Sequence, residues 1–540
     1  MDNYYNSNPN PNQMLYPQNN FQPNIQPPKP KQTFSGLDLV FAILSLVLGF
    51  VFTKFVLFRF VGFISTAFFI AMLICAAIFI SKKGYKISKG KKVFLGILIF
   101  FSLSFSITDN DFIKFLVSAF IIISGVYWVF STCRSLPLSK AAVANVFVAI
   151  FAVPFSRFGA CPMAIFQRRE KSRSKNFLFA VIGILCGIPL TCFVAILLMS
   201  ADENMARILH DFFGDILEHI FENVFIFILS VPVSFYIFGM LYANTKAEKM
   251  NGVTTQGFSK GTSSVKFVPN AFTYAFVTPV CILYALYFVL QIQYFVSAFL
   301  NILPKDFTYA EYARRGFFEL FVVCVINALL LLAINIFTKN SGEKTTTVMK
   351  LFNFIISLFT LVIITTALSK MIMYISVYGL TQLRLYTSWF MVLMALCFLG
   401  VILKQFAHKL SLAKTFSAVF VVMFALLAFS CPDAIIAKTN IEMYKQGYTS
   451  ELDVYTLTSL SDDAWVVILD NDDLFQRYKP TRPKNRDYYD DYDYYDYYDY
   501  SPYSYSYDSE KSSKKNSFYD IYDRMNIPSI IVYSKLQAQK

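Results

Sequence analysis

The chain has 540 residues, 56% of them apolar and 15% charged, with a formal net charge of +13 at neutral pH. An ordinary soluble protein carries about a quarter charged residues, so this composition excludes that class. The basic excess does not point to nucleic acid, because the bases lie in short connections between apolar runs, where membrane proteins collect them on the cytoplasmic side.

Residues 1–36 form an Asn/Pro-rich start; the first 32 hold 8 Asn, 7 Pro and 5 Gln. Such a segment buries too little apolar surface to offset its ordering entropy, and it reads as a disordered cytoplasmic tail. No cleavable signal peptide is visible, so the first span is expected to act as an uncleaved signal anchor. A helix needs about 20 apolar residues to cross the hydrocarbon layer. Eleven runs approach or exceed that length: 37–53, 60–80, 93–107, 112–130, 177–199, 220–242, 272–300, 317–338, 351–379, 386–403 and 416–431. The third and last are short, and the seventh and ninth are long enough to tilt. Segment 141–155 is apolar but brief, contains Pro154 and has bases on both flanks (Arg134 and Lys140 before, Arg157, Arg168 and Arg169 after). It reads as a re-entrant or interface-lying helix.

The expected fold is therefore all-α, a polytopic transmembrane helical bundle over residues 37–431 with a small helical region at 432–477. A Tyr/Asp-rich disordered segment at 478–517 and a short segment at 518–540 complete the chain. With the N-terminus inside, the inner connections hold 26 Lys and Arg and the outer ones 7. The positive-inside rule then places the N-terminus in the cytoplasm and the C-terminus outside the plasma membrane.

Beyond residue 432, a helix is expected at 435–445. Ser450 is placed to cap a second, with Asp453 three residues on, and Ser461 a third, with Asp462 and Asp463 in its first turn. Residues 487–507 contain 11 Tyr and 6 Asp and read as a solvated tract with at most weak contact to wall polymers or cations.

Ionisable groups inside apolar runs are costly and default to functional hypotheses. Glu222, Glu319 and Lys370 qualify, although long side chains at helix ends also serve as anchors. Arg315 and Glu319 are four apart and share a helix face, as do Asp211, Asp215, Glu218 and Glu222. The latter four read as the solvated side of an amphipathic surface helix. Asp109-Asn110-Asp111 reads as a polar turn, and Gln291, Gln293, Asn327 and Asn335 as hydrogen-bonding glue between helices. The nine cysteines form no C-x-x-C pair and read as small buried hydrophobes. No Walker loop, H-E-x-x-H or G-x-S-x-G occurs, so no catalytic residue, cofactor or metal is implied, and ATP-driven transport by this chain alone is not expected.

Several strings carry a resemblance: Leu198-Met199-Ser200-Ala201-Asp202; Tyr309 to Leu320, which contains Glu311, Tyr312, Arg315 and Glu319; Gly379 to Tyr386; Pro432-Asp433-Ala434-Ile435-Ile436-Ala437 running on to Asn440-Ile441; and Leu460-Ser461-Asp462-Asp463-Ala464. Over residues 177–465 the chain resembles the domain-of-unknown-function 4153 group of bacterial membrane proteins, with its close relative 4173. The resemblance implies a polytopic fold and no established activity. These strings map to the outer face in the topology above. The candidate substrate or ion site is therefore Asp202, Glu222, Tyr312, Arg315, Glu319, Lys370, Arg384 and Asp433. The expected surroundings are the lipid bilayer, with a protein partner or envelope polymer at the outer face. A transporter-like or scaffold and signalling role is the first reading, and a membrane-embedded transferase acting on lipid-linked substrates is the alternative.

Overall fold

In a computed structural model of the chain, the described residues are 34–135, 142–167, 203–246, 268–299, 317–338, 347–407, 409–449, 451–477 and 525–538, with a few isolated positions between. Among them the fold is helical without a strand, and one isolated bridge joins Val268 and Thr338. Eleven of the described helices are long and apolar enough to cross a membrane. They begin with α1 (Gly36–Leu57), α2 (Gly62–Lys82), α3 (Lys89–Ile107), α4 (Asp111–Cys133) and α5 (Asn145–Phe166). Then come α6 (Glu203–Thr245, apolar over Phe225–Thr245), α7 (Asn270–Phe299), α8 (Phe317–Phe337) and α9 (Thr347–Tyr378). The set closes with α10 (Gln382–Phe406) and α11 (Leu412–Phe429).

This set differs from the expected one at a single place. The run 177–199 lies outside the described residues, and α5 joins the set instead. α5 is broken: helix stops at Ser156, the chain turns through Arg157, Phe158 and Gly159, and helix resumes at Ala160. Pro154 has no N–H to give the carbonyl of Ile150. That carbonyl accepts from the Tyr236 hydroxyl of α6 at 3.0 Å instead. The break thus stays satisfied away from water, the condition for irregular backbone at membrane depth.

Serine and aspartate fix the start of α1. Ser35 accepts from the Asp38 N–H and Asp38 reaches back to the Ser35 N–H, a complete capping box. α1 and α6 run antiparallel, with Phe34 against Tyr242 at one end and Lys54 Nζ donating to Asn223 Oδ1 at 3.1 Å at the other. Lys83 pairs with Asp38 at 2.6 Å, and the Tyr85 hydroxyl donates to the Thr245 carbonyl. Both contacts lie at the Phe34 end.

Three apolar cores result. One joins α1–α6 with α11 around Phe79, Phe101, Trp128 and Phe238. A second joins α7–α10 around Cys324, Ile356, Ala367 and Met391. Between α8 and α9, Asn327 Nδ2 donates to Thr360 Oγ1, and Asn335 and Asn353 exchange amide bonds, as expected of polar groups between helices. Elsewhere on these helices large apolar side chains such as Ile282, Val289 and Leu329 are exposed, the surface a bilayer solvates.

The third core belongs to the C-terminal helices: α12 (Pro432–Lys445), α13 (Val454–Thr458), α14 (Asp462–Leu469), α15 (Asp472–Arg477) and α16 (Ile527–Ala538). Ile436, Trp465, Ile468 and Leu536 pack there with Leu380. Ser450 lies outside the described residues, and α13 takes its cap from Asp453, whose Oδ1 accepts from the Thr456 N–H at 3.0 Å. Helix α16 was unexpected. Its signal is Asn526-Ile527-Pro528-Ser529: Asn526 Oδ1 accepts from the Ser529 N–H, and proline favours a helical first turn.

Candidate functional site

Five helices begin at one place. Asn110 caps α4 by accepting from the Ile113 N–H at 2.9 Å. Gln382 opens α10, Asp433 lies in the first turn of α12, Ser461 precedes α14, and Asn526 caps α16. Four aspartates, Asp109, Asp433, Asp462 and Asp463, are buried among these starts, each at most 6% exposed.

Each carboxylate accepts from internal donors. Asp109 takes Lys114 Nζ at 3.0 Å, Asn526 Nδ2 at 2.7 Å and the Asp462 N–H at 3.3 Å. Asp433 takes Gln382 Nε2 at 2.7 Å, Asn110 Nδ2 at 2.9 Å, and the Ser461 hydroxyl at 2.6 Å and N–H at 3.3 Å. Ser461 therefore spends its hydroxyl on Asp433 rather than on its own helix. Asp462 accepts from Ser529 Oγ at 2.6 Å. Asp463 accepts the Asp109 N–H at 3.1 Å and lies 2.5 Å from Thr108 Oγ1.

The charges nearly close. Lys114 supplies one positive charge, and each helix start adds about half of one. Against these, four ionised aspartates leave a small negative excess, so a proton is favoured somewhere in the cluster. It belongs on Asp463, whose pKa burial raises to about 7, with the charges of Asp109 and Asp433 pushing the same way. Burial likewise pushes the Cys431 thiol, at the start of α12, up to about 12, so it stays a neutral thiol.

Close approach completes the junction. The Phe63 N–H donates to the Met525 carbonyl at 2.9 Å, and a Cβ on Gly62 would come within 2.6 Å of that oxygen. Asn440 brackets Leu380, accepting from its N–H at 2.6 Å and donating to its carbonyl at 2.8 Å. Gly379 sits at φ +75 beside Asn440, where a Cβ would be 2.7 Å from Oδ1.

The expected site residues divide. Asp433 is central. Arg384 is a cap: it donates to the Tyr378 and Gly379 carbonyls at the end of α9 and stacks 4.1 Å over Tyr374. The charges of Glu319 and Lys370 interact between α8 and α9, and Lys370 lies one turn from Tyr374. Asp202, Tyr312 and Arg315 fall outside the described residues. Glu222 lies on α6, but its side chain is outside them too. Asp109-Asn110-Asp111 is not the free polar turn its sequence suggested: Asp109 and Asn110 are buried because α12, α14 and α16 close over them. Among the described residues no group of three or more His, Cys, Asp or Glu could hold a metal ion.

A second region is apolar. A cavity of about 400 Å³ lies between α1, α2, α4, α5 and α6, lined by Phe68, Met72, Gly125, Trp128, Phe155 and Pro232 among others. Its few polar atoms are engaged: the Trp128 indole N–H donates to the Lys91 carbonyl, and the Tyr236 hydroxyl to Ile150.

The helices and the junction define a multi-pass helical membrane protein. The chain belongs to the DUF4153 family: the family model described as "Domain of unknown function (DUF4153)" matches residues 95–471. The match starts earlier than the resemblance suggested and takes in Thr108 to Lys114, while Asn526 and Ser529 lie beyond it. No curated protein and no solved structure matches the chain.

Proposed function

We propose that this protein is a plasma-membrane scaffold or signalling unit that displays its C-terminal helices, α12–α16, rigidly on the extracytoplasmic face. The observation that carries this reading is the closed junction. Its four carboxylates are spent on internal donors drawn from residues 108–114, 382, 461–462 and 526–529, so the cluster fastens rather than reacts. A transferase centre needs an acid or base that reaches a substrate, and these groups are committed to each other. The count of bases supports the N-in, C-out orientation, because the junction then falls on the base-poor side.

Tyr448, just past the end of α12, and Tyr455, on α13, are exposed at 69% and 58%. Single cysteines there should react with an impermeant maleimide on intact cells; reaction only after permeabilisation would refute the orientation. Photocrosslinkers at the same two positions should give a discrete adduct that Asp433→Ala abolishes. Absence of any adduct would remove the scaffold reading.

The interaction of Glu319 with Lys370 favours a second reading, an ion-coupled carrier. That reading expects an ion-dependent flux in proteoliposomes that Lys370→Met eliminates.

A further inference from the structure

Three basic residues, Lys91, Arg134 and Arg157, lie on or next to elements that line the apolar cavity. Trp128 lines it and bonds the Lys91 carbonyl, and Lys91 Nζ lies 5.8 Å over the Tyr127 ring. About two turns on, just past the end of α4, Arg134 stacks its guanidinium 4.0 Å over Phe130, and its Nη1 is buried without a hydrogen-bond partner. The buried Tyr127 hydroxyl lacks one as well. Arg157 stands between Phe155 and Phe158, both of which line the cavity, and its carbonyl faces Gly239, next to the lining residue Met240.

We propose that this cavity holds a hydrocarbon chain of an anionic lipid whose headgroup is bound by Arg134, Arg157 and Lys91. Three observations support it. The volume, about 400 Å³, falls in the range of ligand pockets, about 300–1,000 Å³. Among the described lining residues the polar side chains of Trp128 and Tyr236 are already engaged, and hydrocarbon is the solvent around these helices. Arg134 keeps a buried Nη1 without a hydrogen-bond partner, guanidinium is the group that recognises phosphate, and basic pockets between transmembrane helices select anionic headgroups.

The full chain in detergent, titrated with phosphatidylglycerol or with phosphatidylcholine of identical chains, tests this directly. Phosphatidylglycerol should raise Tm by roughly 3 °C more than phosphatidylcholine. The double variant Arg134→Gln, Arg157→Gln should bring the two lipids level. Gly125→Leu should remove both shifts: a Cβ there meets only Leu73 Cδ2, at an ordinary 3.6 Å, so the larger side chain fills the cavity without a backbone clash. Equal shifts for both lipids in the unaltered protein, or a phosphatidylglycerol shift that survives Gly125→Leu, overturn the proposal. Should Gly125→Leu not fold, phosphatidylglycerol brominated along its chain gives a second readout. It should quench a fluorescence component that disappears in Trp128→Phe, and no such component overturns the proposal.

Discussion

The carboxylate junction and the apolar cavity solve opposite problems. At the junction the buried groups are charged, and order comes from matching each oxygen to a donor. In the cavity the surfaces are apolar, and no described side chain fills the space. A saturated polar cluster has one acceptable arrangement, because any slip leaves a buried donor unpaired. An apolar cavity accepts any occupant of suitable size. The first therefore specifies geometry and the second tolerates exchange.

The largest expected break in this contrast is Asp433→Ala. It strands buried donors on Gln382, Asn110 and Ser461, each worth about 1–3 kcal/mol, so about 5 kcal/mol should be lost and α12–α16 should become protease-sensitive. Asp433→Asn should be nearly as harmful, since all the partners donate and an amide supplies one acceptor too few. Next comes Lys114→Met, which leaves Asp109 buried without its cation and should cost about 3 kcal/mol in thermal or chemical unfolding.

Asp463 behaves differently. Its folded pKa of about 7 lies above the ordinary 3.8, so the folded state binds the extra proton between those values. Stability present below 3.8 is lost as the pH rises toward 7, at up to about 1.4 kcal/mol per pH unit. Unfolding midpoints measured at about pH 5 and about pH 8 should show that loss, and Asp463→Asn, which keeps one acceptor and one donor in place, should flatten it. The smallest effect is Gly379→Ala, expected to cost about 1–2 kcal/mol from the left-handed φ and the crowding against Asn440.

Sequence alone carried the spans because a bilayer demands continuous apolar length, and that demand is local. It did not settle α5, whose tolerance of Pro154 depends on a hydroxyl from Tyr236 that reaches the Ile150 carbonyl across 86 residues. At the junction, Asp462 and Asp463 were legible as first-turn acids and Asp433 through its string. Asp109 was not, because a D-N-D turn looks the same whether water or three other helix starts surround it. Arg384 was legible as important but not as a cap, because its partners are carbonyls, which every residue has.

The bond between Asn526 and Asp109 joins residues 417 apart in sequence. During synthesis, Asp109 and its turn reach their place in the bundle long before Asn526 leaves the ribosome. Until then the acids wait without α16, held in part by Lys114 and water. Closing of the junction thus waits until residue 526 has emerged, and a chain halted short of it carries an unsealed surface that quality-control proteases can read as unfinished.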